Sequence, residues 1–311
     1  MRRTAAVVFI ALGVCLLVLA PMLRYWTAES LMKAPLDYYN ETVNRGEDIT
    51  YFSAEETELV EGATVEAYTT VRGDVAASDA DTAVWDQFTW VKDVERDSAI
   101  TSTYRRAGHD RVDGRGVDCC DSSVGDEEVE QKGQIFKFPF LTEQRDYRFF
   151  DTTSRLTRPI AFEGEEAYNG IDTYRFEQVV ESEKVGERTL PASLLEGMDG
   201  ADGDVTGDEM YSVTRTYWIE PTTGVPIGLS EDQHRGFVVD GEERLVLFDG
   251  TLVWDDETVD GQIESAAQGM IMLPLLRTVI PLACVVFGAV FVIAGGLMLI
   301  GTGVRNTRTA H

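Results

Sequence analysis

Thr4 to Leu23 reads TAAVVFIALGVCLLVLAPML, and Thr278 to Gly303 reads TVIPLACVVFGAVFVIAGGLMLIGTG. Neither run contains a charged residue. A helix rises about 1.5 Å per residue, so twenty residues span about 30 Å, the hydrocarbon thickness of a bilayer. A helix also satisfies its own backbone polar groups, as lipid demands. The two runs predict two membrane helices framing a 311-residue chain. A cleaved signal peptide is the competing reading of the first run. Its apolar stretch exceeds the usual length of about 7–15 residues, and Pro21 follows the small-residue site at Ala20. The run is therefore read as a retained anchor.

Outward from these runs the charge changes abruptly. No Asp or Glu occurs in residues 1–23 or 278–311, whereas residues 24–277 hold all 54 acids against 23 bases, a net of −31. Arg2, Arg3, Arg305 and Arg308 mark the outer ends of the two helices. The positive-inside rule places both termini in the cytoplasm. The expected layout is a cytoplasmic tip and first helix (1–23), an acidic extracytoplasmic domain (24–277), a second helix (278–303) and a cytoplasmic tail (304–311) of a two-pass plasma-membrane protein. The acidic balance has the wrong sign for phosphate, which argues against a nucleic-acid partner and leaves the membrane as the evident one. Apolar residues at 44% suffice for a packed core.

Within 24–277 the signals are of the strand type. Thr64–Arg72, Thr82–Val91, Thr173–Glu181 and Ser212–Glu220 are rich in β-branched and aromatic residues. In the third, Tyr174, Phe176 and Val180 share one face while Arg175, Glu177 and Glu181 share the other, the period of a half-buried antiparallel strand. Shorter candidates are Tyr147–Phe150, Val225–Leu229, Gly236–Val239, Arg244–Phe248 and Thr251–Trp254. Turn pairs such as Asn169-Gly170 and Asp240-Gly241 separate them. Helical signals are confined to Ala28–Asn40, broken at Pro35, and to Asp260–Leu273. The fold class is a mostly β extracytoplasmic domain, a curved antiparallel sheet or partial barrel, between two transmembrane helices. An internal echo adds to this: Thr101–Tyr104 runs on through Asp110 to Gly114, and Arg215–Trp218 runs on through Glu220 to Gly224. A pseudo-duplicated hairpin unit is one reading of it.

Chemistry-bearing motifs are few. Cys15 and Cys284 fall in the apolar runs, and Cys119 and Cys120 are adjacent in the exported domain, where an oxidising compartment allows them to close on each other as a disulfide. Such a pair is read as a local staple, with a redox switch as the alternative. No metal spacing surrounds it. Asp199–Glu209 is a low-complexity acidic loop whose Asp202, Asp204 and Thr206-Gly207 imitate an EF-hand start, but Val213 stands where the bidentate Glu is required. Arg72-Gly73-Asp74 reads as a turn at the end of a strand. No nucleophile elbow, HExxH, P-loop or dinucleotide fingerprint occurs. A non-enzymatic protein without cofactor is expected.

The stretches TTVRGDV (69–75), AVWD (83–86), DCC (118–120), KFPF (137–140), FFDTT (149–153), YNGIDTYRF (168–176) and TRTYWIEPTTGVP (214–226), in this order between terminal helices, resemble the actinobacterial porin PorA family. The resemblance covers nearly the whole chain. It implies an envelope protein of an actinobacterium with a mycolate layer, linked to polar growth and to trehalose mycolates beside a lipid transporter. The hairpin Tyr217–Pro226 is also similar to an element of LolA-like and LprG-type lipid carriers, which wrap a curved sheet around an apolar cavity. The expected function is binding or handing on an envelope lipid of the mycolate glycolipid type. Its motive is 27 aromatics in residues 24–277. Phe136, Phe138 and Phe140, with Trp218, are the candidate lipid-binding residues, the three Phe because Pro139 interrupts their run and alternate aromatics share a side. A second reading is a scaffold for an envelope-assembly complex, with Gly288, Gly295 and Gly296 offering small-residue patches for helix packing. A third is a channel, as the family label has it. A strand-built pore needs strands that are apolar outside and polar inside, whereas the apolar signals here are two helices.

Overall fold

The computed structural model describes residues 2–198 and 203–307. The chain divides into two compact units, residues 1–33 with 267–311, and residues 34–266.

In the first unit the long apolar runs form helices as their composition requires. Helix α1 (Arg2–Met22) continues through a π-helical turn (Leu23–Thr27) into α2 (Ala28–Leu31). Helix α3 (Asp256–Pro274) continues through a second π-helical turn (Leu275–Val279) into α4 (Ile280–Thr307). Each π turn closely follows a proline, Pro21 or Pro274. Proline donates no hydrogen bond and crowds the preceding turn, and the wider turn absorbs the misfit. Arg3–Leu31 and Asp256–Ile300 are each long and apolar enough to cross a membrane.

α1 and α4 pair antiparallel. A Cβ on Gly13 would lie 2.7 Å from the Gly288 carbonyl, and one on Gly295 2.7 Å from that of Ala6. Phe9 meets Phe291 edge-on at 5.4 Å, and Arg24 Nη1 donates to the Arg277 carbonyl at 3.1 Å. Close backbone approach through small residues is how helices associate where lipid removes the hydrophobic drive. Two of the three glycines expected to recruit a partner are thus occupied within the chain. Gly296 has nothing within 4 Å of its Cβ position.

Among the described residues the second unit is a sheet of thirteen strands. In chain order they are β1 (Tyr39–Ser53), β2 (Glu58–Gly73), β3 (Thr82–Asp93), β4 (Ser98–Asp110), β5 (Gly116–Val117), β6 (Ser123–Val124), β7 (Glu127–Glu128), β8 (Tyr147–Asp151), β9 (Leu156–Tyr168), β10 (Ile171–Pro191), β11 (Asp204–Ile219), β12 (Pro226–Val239) and β13 (Glu242–Trp254). The spatial order is β7-β6-β4-β3-β2-β1-β13-β12-β11-β10-β9-β8, with β5 beside β4. Every neighbouring pair is antiparallel, so two meanders meet where β1 pairs with β13. Bulges interrupt the long ladders, for example between Val180 and Glu183 of β10. Bulges add twist, and twisted strands of this length curl the sheet into a half-barrel. Gln134 bridges Arg115 on one side and Phe149 on the other. It thereby ties the β5 side of the sheet to β8.

The expected strands are present but longer. The candidates Val225–Leu229, from Pro226 on, and Gly236–Val239 are both parts of β12, and Arg244–Phe248 and Thr251–Trp254 are both parts of β13. Of the acidic loop read at Asp199–Glu209, residues 199–202 lie outside the described residues. Residues 204–209 open β11, where Asp208 pairs with Lys184 and Glu209 with Arg188 across the ladder. An EF-hand loop cannot be built from paired strand. Arg72-Gly73-Asp74 ends β2 as a turn: Asp74 Oδ1 accepts the amides of Ala76 and Ala77. Ile135–Leu141 is not a strand. It is an irregular strap, because Pro139 donates no ladder bond and Leu141 adopts a positive φ.

The helical signal at Asp260–Leu273 begins earlier, at Asp256, where Asp255 Oδ1 caps the Thr258 amide at 2.8 Å. Val43 of β1 donates its amide to the Thr258 hydroxyl at 2.8 Å, fixing this end of α3 on the sheet. The signal at Ala28–Asn40 ends as helix at Leu31.

Candidate functional site: a polar-lined cavity in the half-barrel

Residues of six strands, alternate ones on five of them and the consecutive run Thr101–Arg105 on β4, face a common interior. Asn40, Thr42 and Asn44 of β1, Thr69 and Val71 of β2, Trp85, Gln87 and Thr89 of β3, Thr101, Thr103 and Arg105 of β4, Tyr211, Arg215 and Tyr217 of β11, and Leu229, Glu231, Gln233 and Arg235 of β12 all line one cavity of about 650 Å³. Period-two alternation puts one side-chain set inside and the other outside. The volume falls within the range of about 300–1,000 Å³ typical of small-ligand sites. The lining mixes aromatic and aliphatic surface with hydroxyl and amide groups.

The strap Ile135–Leu141 crosses this interior between two matching turns. Asp110 Oδ1 accepts the amides of Val112 and Asp113, and the Gly114 amide returns to the Asp110 carbonyl at 3.0 Å. Glu220 accepts the amides of Thr222 and Thr223, and the Gly224 amide returns to the Glu220 carbonyl at 2.9 Å. Gly114 and Gly224 have φ of 72° and 71°. The internal echo is thus a repeated turn. The strap is bonded to both copies: Phe138 donates to the Gly224 carbonyl, Phe140 to Val112 and Leu141 to Thr222.

The four candidate residues separate on this geometry. Phe136 and Phe140 line the cavity. Phe138 turns away and is fully buried among Tyr147, Phe149, Phe176 and Ile219. Trp218 is outside the cavity lining and stacks on Tyr168 at 4.5 Å. The strap is not extended, so alternation along it does not sort side chains by face as it does in a strand.

Two buried arginines dominate the interior. Arg215 is 6% exposed. It bonds Asp151 at 3.0 Å, Glu231 at 2.5 Å and Gln178 Oε1 at 2.7 Å. Asp151 also accepts the Tyr211 hydroxyl and the Ser154 amide. Burial pushes the Asp151 carboxyl up, but Arg215 and the Ser154 amide outweigh it and hold the group below the usual range. Burial likewise disfavours the Arg215 cation, and Glu231 and Asp151 more than restore it. Arg105 is 5% exposed. It donates from Nε to Gln131 Oε1 at 2.6 Å and from Nη1 to the Ile135 carbonyl at 3.2 Å, and its guanidinium lies 4.4 Å over the Phe136 ring. These partners are all neutral. Desolvation lowers its pKa to about 9, which leaves it charged at neutral pH. Neither arginine stands out in the sequence by motif. The signal that could have found them is the echo, since each lies five residues before the turn acid.

Lys137 on the strap donates to the Val112 carbonyl at 3.3 Å and lies 3.8 Å over the Phe140 ring. Burial lowers its pKa to about 7. His109 is fully buried, its ring packed against Trp85 and Phe136, with neither nitrogen hydrogen-bonded. Desolvation, then the nearby Lys137, Arg105 and Arg111 charges, lower its pKa to about 3. Cys119 and Cys120 are joined to each other. Their sulfurs flank Gly108 of β4, where a Cβ would lie 2.4 Å from Cys119 Sγ.

Fold and cavity define a class: a membrane protein with two candidate spanning helices and a half-barrel body around one mixed polar and aromatic cavity. A family model described as Porin PorA matches residues 5–297, and the chain belongs to that family. It is similar to a protein named Porin PorA from Corynebacterium resistens (strain DSM 45100 / JCM 12819 / GTC 2026 / SICGH 158). The two are 24% identical over 229 residues, covering 53% of this chain and 55% of the relative. A Porin PorA of Corynebacterium amycolatum is 22% identical over 205 residues, covering 52% of this chain and 53% of the relative. The chain thus spans about half the length of the curated relatives it matches.

Proposed function

We propose that the protein is a non-enzymatic, membrane-anchored binding protein whose half-barrel holds an envelope lipid on the extracytoplasmic side. The observation that carries this reading is the cavity of about 650 Å³, where Trp85, Phe136 and Leu229 share the lining with threonine, asparagine and glutamine side chains. A lipid presents both kinds of surface, chain and polar head. A fully apolar core would need neither the polar lining nor the space. A glycolipid of mycolate type, which the family resemblance implies, fits a lining rich in hydroxyl and amide groups.

The name of the relatives points to a channel. A strand-built pore needs an outward apolar band about 25 Å tall. Exposed positions of β10 include Glu181, Lys184, Glu187 and Arg188, which have no place in such a band. A channel reading would therefore rest on helices assembled from several copies.

Native mass spectrometry of the full chain, released from micelles after incubation with extracted envelope lipid, tests the proposal. A one-to-one lipid adduct, lost when Phe136 and Leu229 are both changed to Asp, is the expected result. No adduct at saturating lipid, together with unit conductance steps in planar bilayers, would replace the binding reading by the channel one.

A further inference from the structure

Arg105 and Arg215 hold equivalent places, five residues before the two matching turns, and both are at least nine-tenths buried. Their surroundings differ in one respect. Arg215 has Asp151 at 3.0 Å and Glu231 at 2.5 Å. Arg105 has no carboxylate in contact among the described residues. Its partners are Gln131, the Ile135 carbonyl and, at 3.4 Å, Gln87 Oε1. Its Nη2 is buried without any hydrogen-bond partner. Asp151, whose charge is felt at Arg105, already accepts from Arg215, Tyr211 and Ser154.

Burying a cation without a counter-charge is costly, and folded chains avoid it or pair it. This chain has acids in abundance, 54 against 27 bases, yet among the described residues none is placed against Arg105. Arg105 lines the cavity, and its one unpartnered nitrogen, Nη2, is matched by a single carboxylate oxygen. The surrounding body is acidic, so no general field draws an anion in, and selection must be local.

From this juxtaposition we infer that the cavity takes an anionic amphiphile, a long-chain carboxylic acid whose head pairs with Arg105 while its chain lies along the aromatic lining. This inference rests on the reading that the cavity holds an envelope lipid, and assigns that lipid a free carboxylate in place of the esterified head of a mycolate glycolipid. Phe136 and Phe150 flank the guanidinium, so the chain adjoining the head meets apolar surface at once. One free nitrogen suits a singly charged head better than a phosphate monoester.

The test uses the full chain held in amphipol at neutral pH and three radiolabelled probes of equal chain length: hexadecanoate, hexadecan-1-ol and hexadecyl phosphate. Wild-type protein is expected to bind the carboxylate at least about tenfold more tightly than the alcohol. Arg105→Gln should remove that preference, while Arg105→Lys, which keeps the charge, should retain part of it. Equal binding of acid and alcohol by the wild type overturns the acid site and leaves the cavity reading intact; this comparison needs no variant to fold. Binding of hexadecyl phosphate but not hexadecanoate overturns the carboxylate assignment. No binding of any probe overturns both the inference and the binding reading.

Discussion

At the scale of single residues, the interior is decided by which buried charges have partners. Asp151 joins Arg215, Tyr211 and the Ser154 amide in one buried network. Asp151→Ala would strand much of the Arg215 charge, and breaking a buried pair in this way costs about 3–5 kcal/mol. Thermal unfolding followed by circular dichroism should register that loss, and a change within error would mean that the network is not a stabilising one. His109 makes the opposite kind of prediction. Its folded pKa, about 3, lies below the unfolded value near 6.5. As pH falls through 6.5 the unfolded chain gains a proton that the folded chain refuses, so stability declines between 6.5 and 3 and levels off below. By pH 4.5 the expected cost is about 2–3 kcal/mol. His109→Leu should flatten the melting temperature over that window by about one proton's worth, and an unchanged slope would assign the acid sensitivity to the carboxylates. Apart from the echo, which sets Arg105 and Arg215 at matching positions, none of this was legible in the sequence. A histidine beside Asp110, or an arginine among polar residues, looks the same whether it faces water or a cavity.

At the scale of elements, the sequence showed strands where the buried face is apolar and missed them where the inward face is polar. Thr173–Glu181 alternates visibly because Phe176 and Val180 are core. β1 went unread because Asn40, Thr42 and Asn44 line the cavity, and β4 was read only at Thr101–Tyr104, through the echo. β12 was split in two for the same reason, its middle carrying Glu231, Gln233 and Arg235 inward. The gaps in the pattern were the binding-site candidates. The repeated turn was legible because its acid and glycine must stand four positions apart: the acid caps two amides, and the glycine supplies the positive φ. Gly224 is doubly constrained, since a Cβ there would also lie 2.3 Å from the Phe138 carbonyl of the strap. Gly224→Ala should therefore cost more than about 1 kcal/mol. It should also raise hydrogen exchange at the Phe138 and Leu141 amides, which bond this turn, before exchange rises in the sheet. Uniform exchange across strap and sheet would show that the strap is not a separate unit.

At the scale of the whole molecule, charge and hydropathy are partitioned, and the partition predicts an orientation. All 54 acids lie in residues 24–277, and four of the 27 bases lie at the chain ends, beyond the uncharged runs 4–23 and 278–303. Carrying a segment with a net charge of −31 outward runs with the membrane potential, while terminal arginines resist export. The antiparallel pairing of α1 with α4, through Gly13 against Gly288 and Gly295 against Ala6, makes the two spans a hairpin whose ends emerge together. Both termini should then lie in the cytoplasm with residues 34–266 outside. Single cysteines placed at Glu47 of β1, at Arg3 and at Arg305, in a chain with Cys15 and Cys284 changed to Ala, should separate cleanly with a membrane-impermeant maleimide. In intact spheroplasts the label should reach position 47 alone, and all three positions after lysis. Labelling of positions 3 and 305 but not 47 in intact spheroplasts would turn the molecule inside out, and a body facing the cytoplasm could not meet an envelope lipid. The hairpin itself is testable in the same membranes: Gly288→Leu, which no longer fits against Gly13, should abolish disulfide cross-linking between cysteines placed at Ala6 and Gly295 while leaving the label at position 47 unchanged.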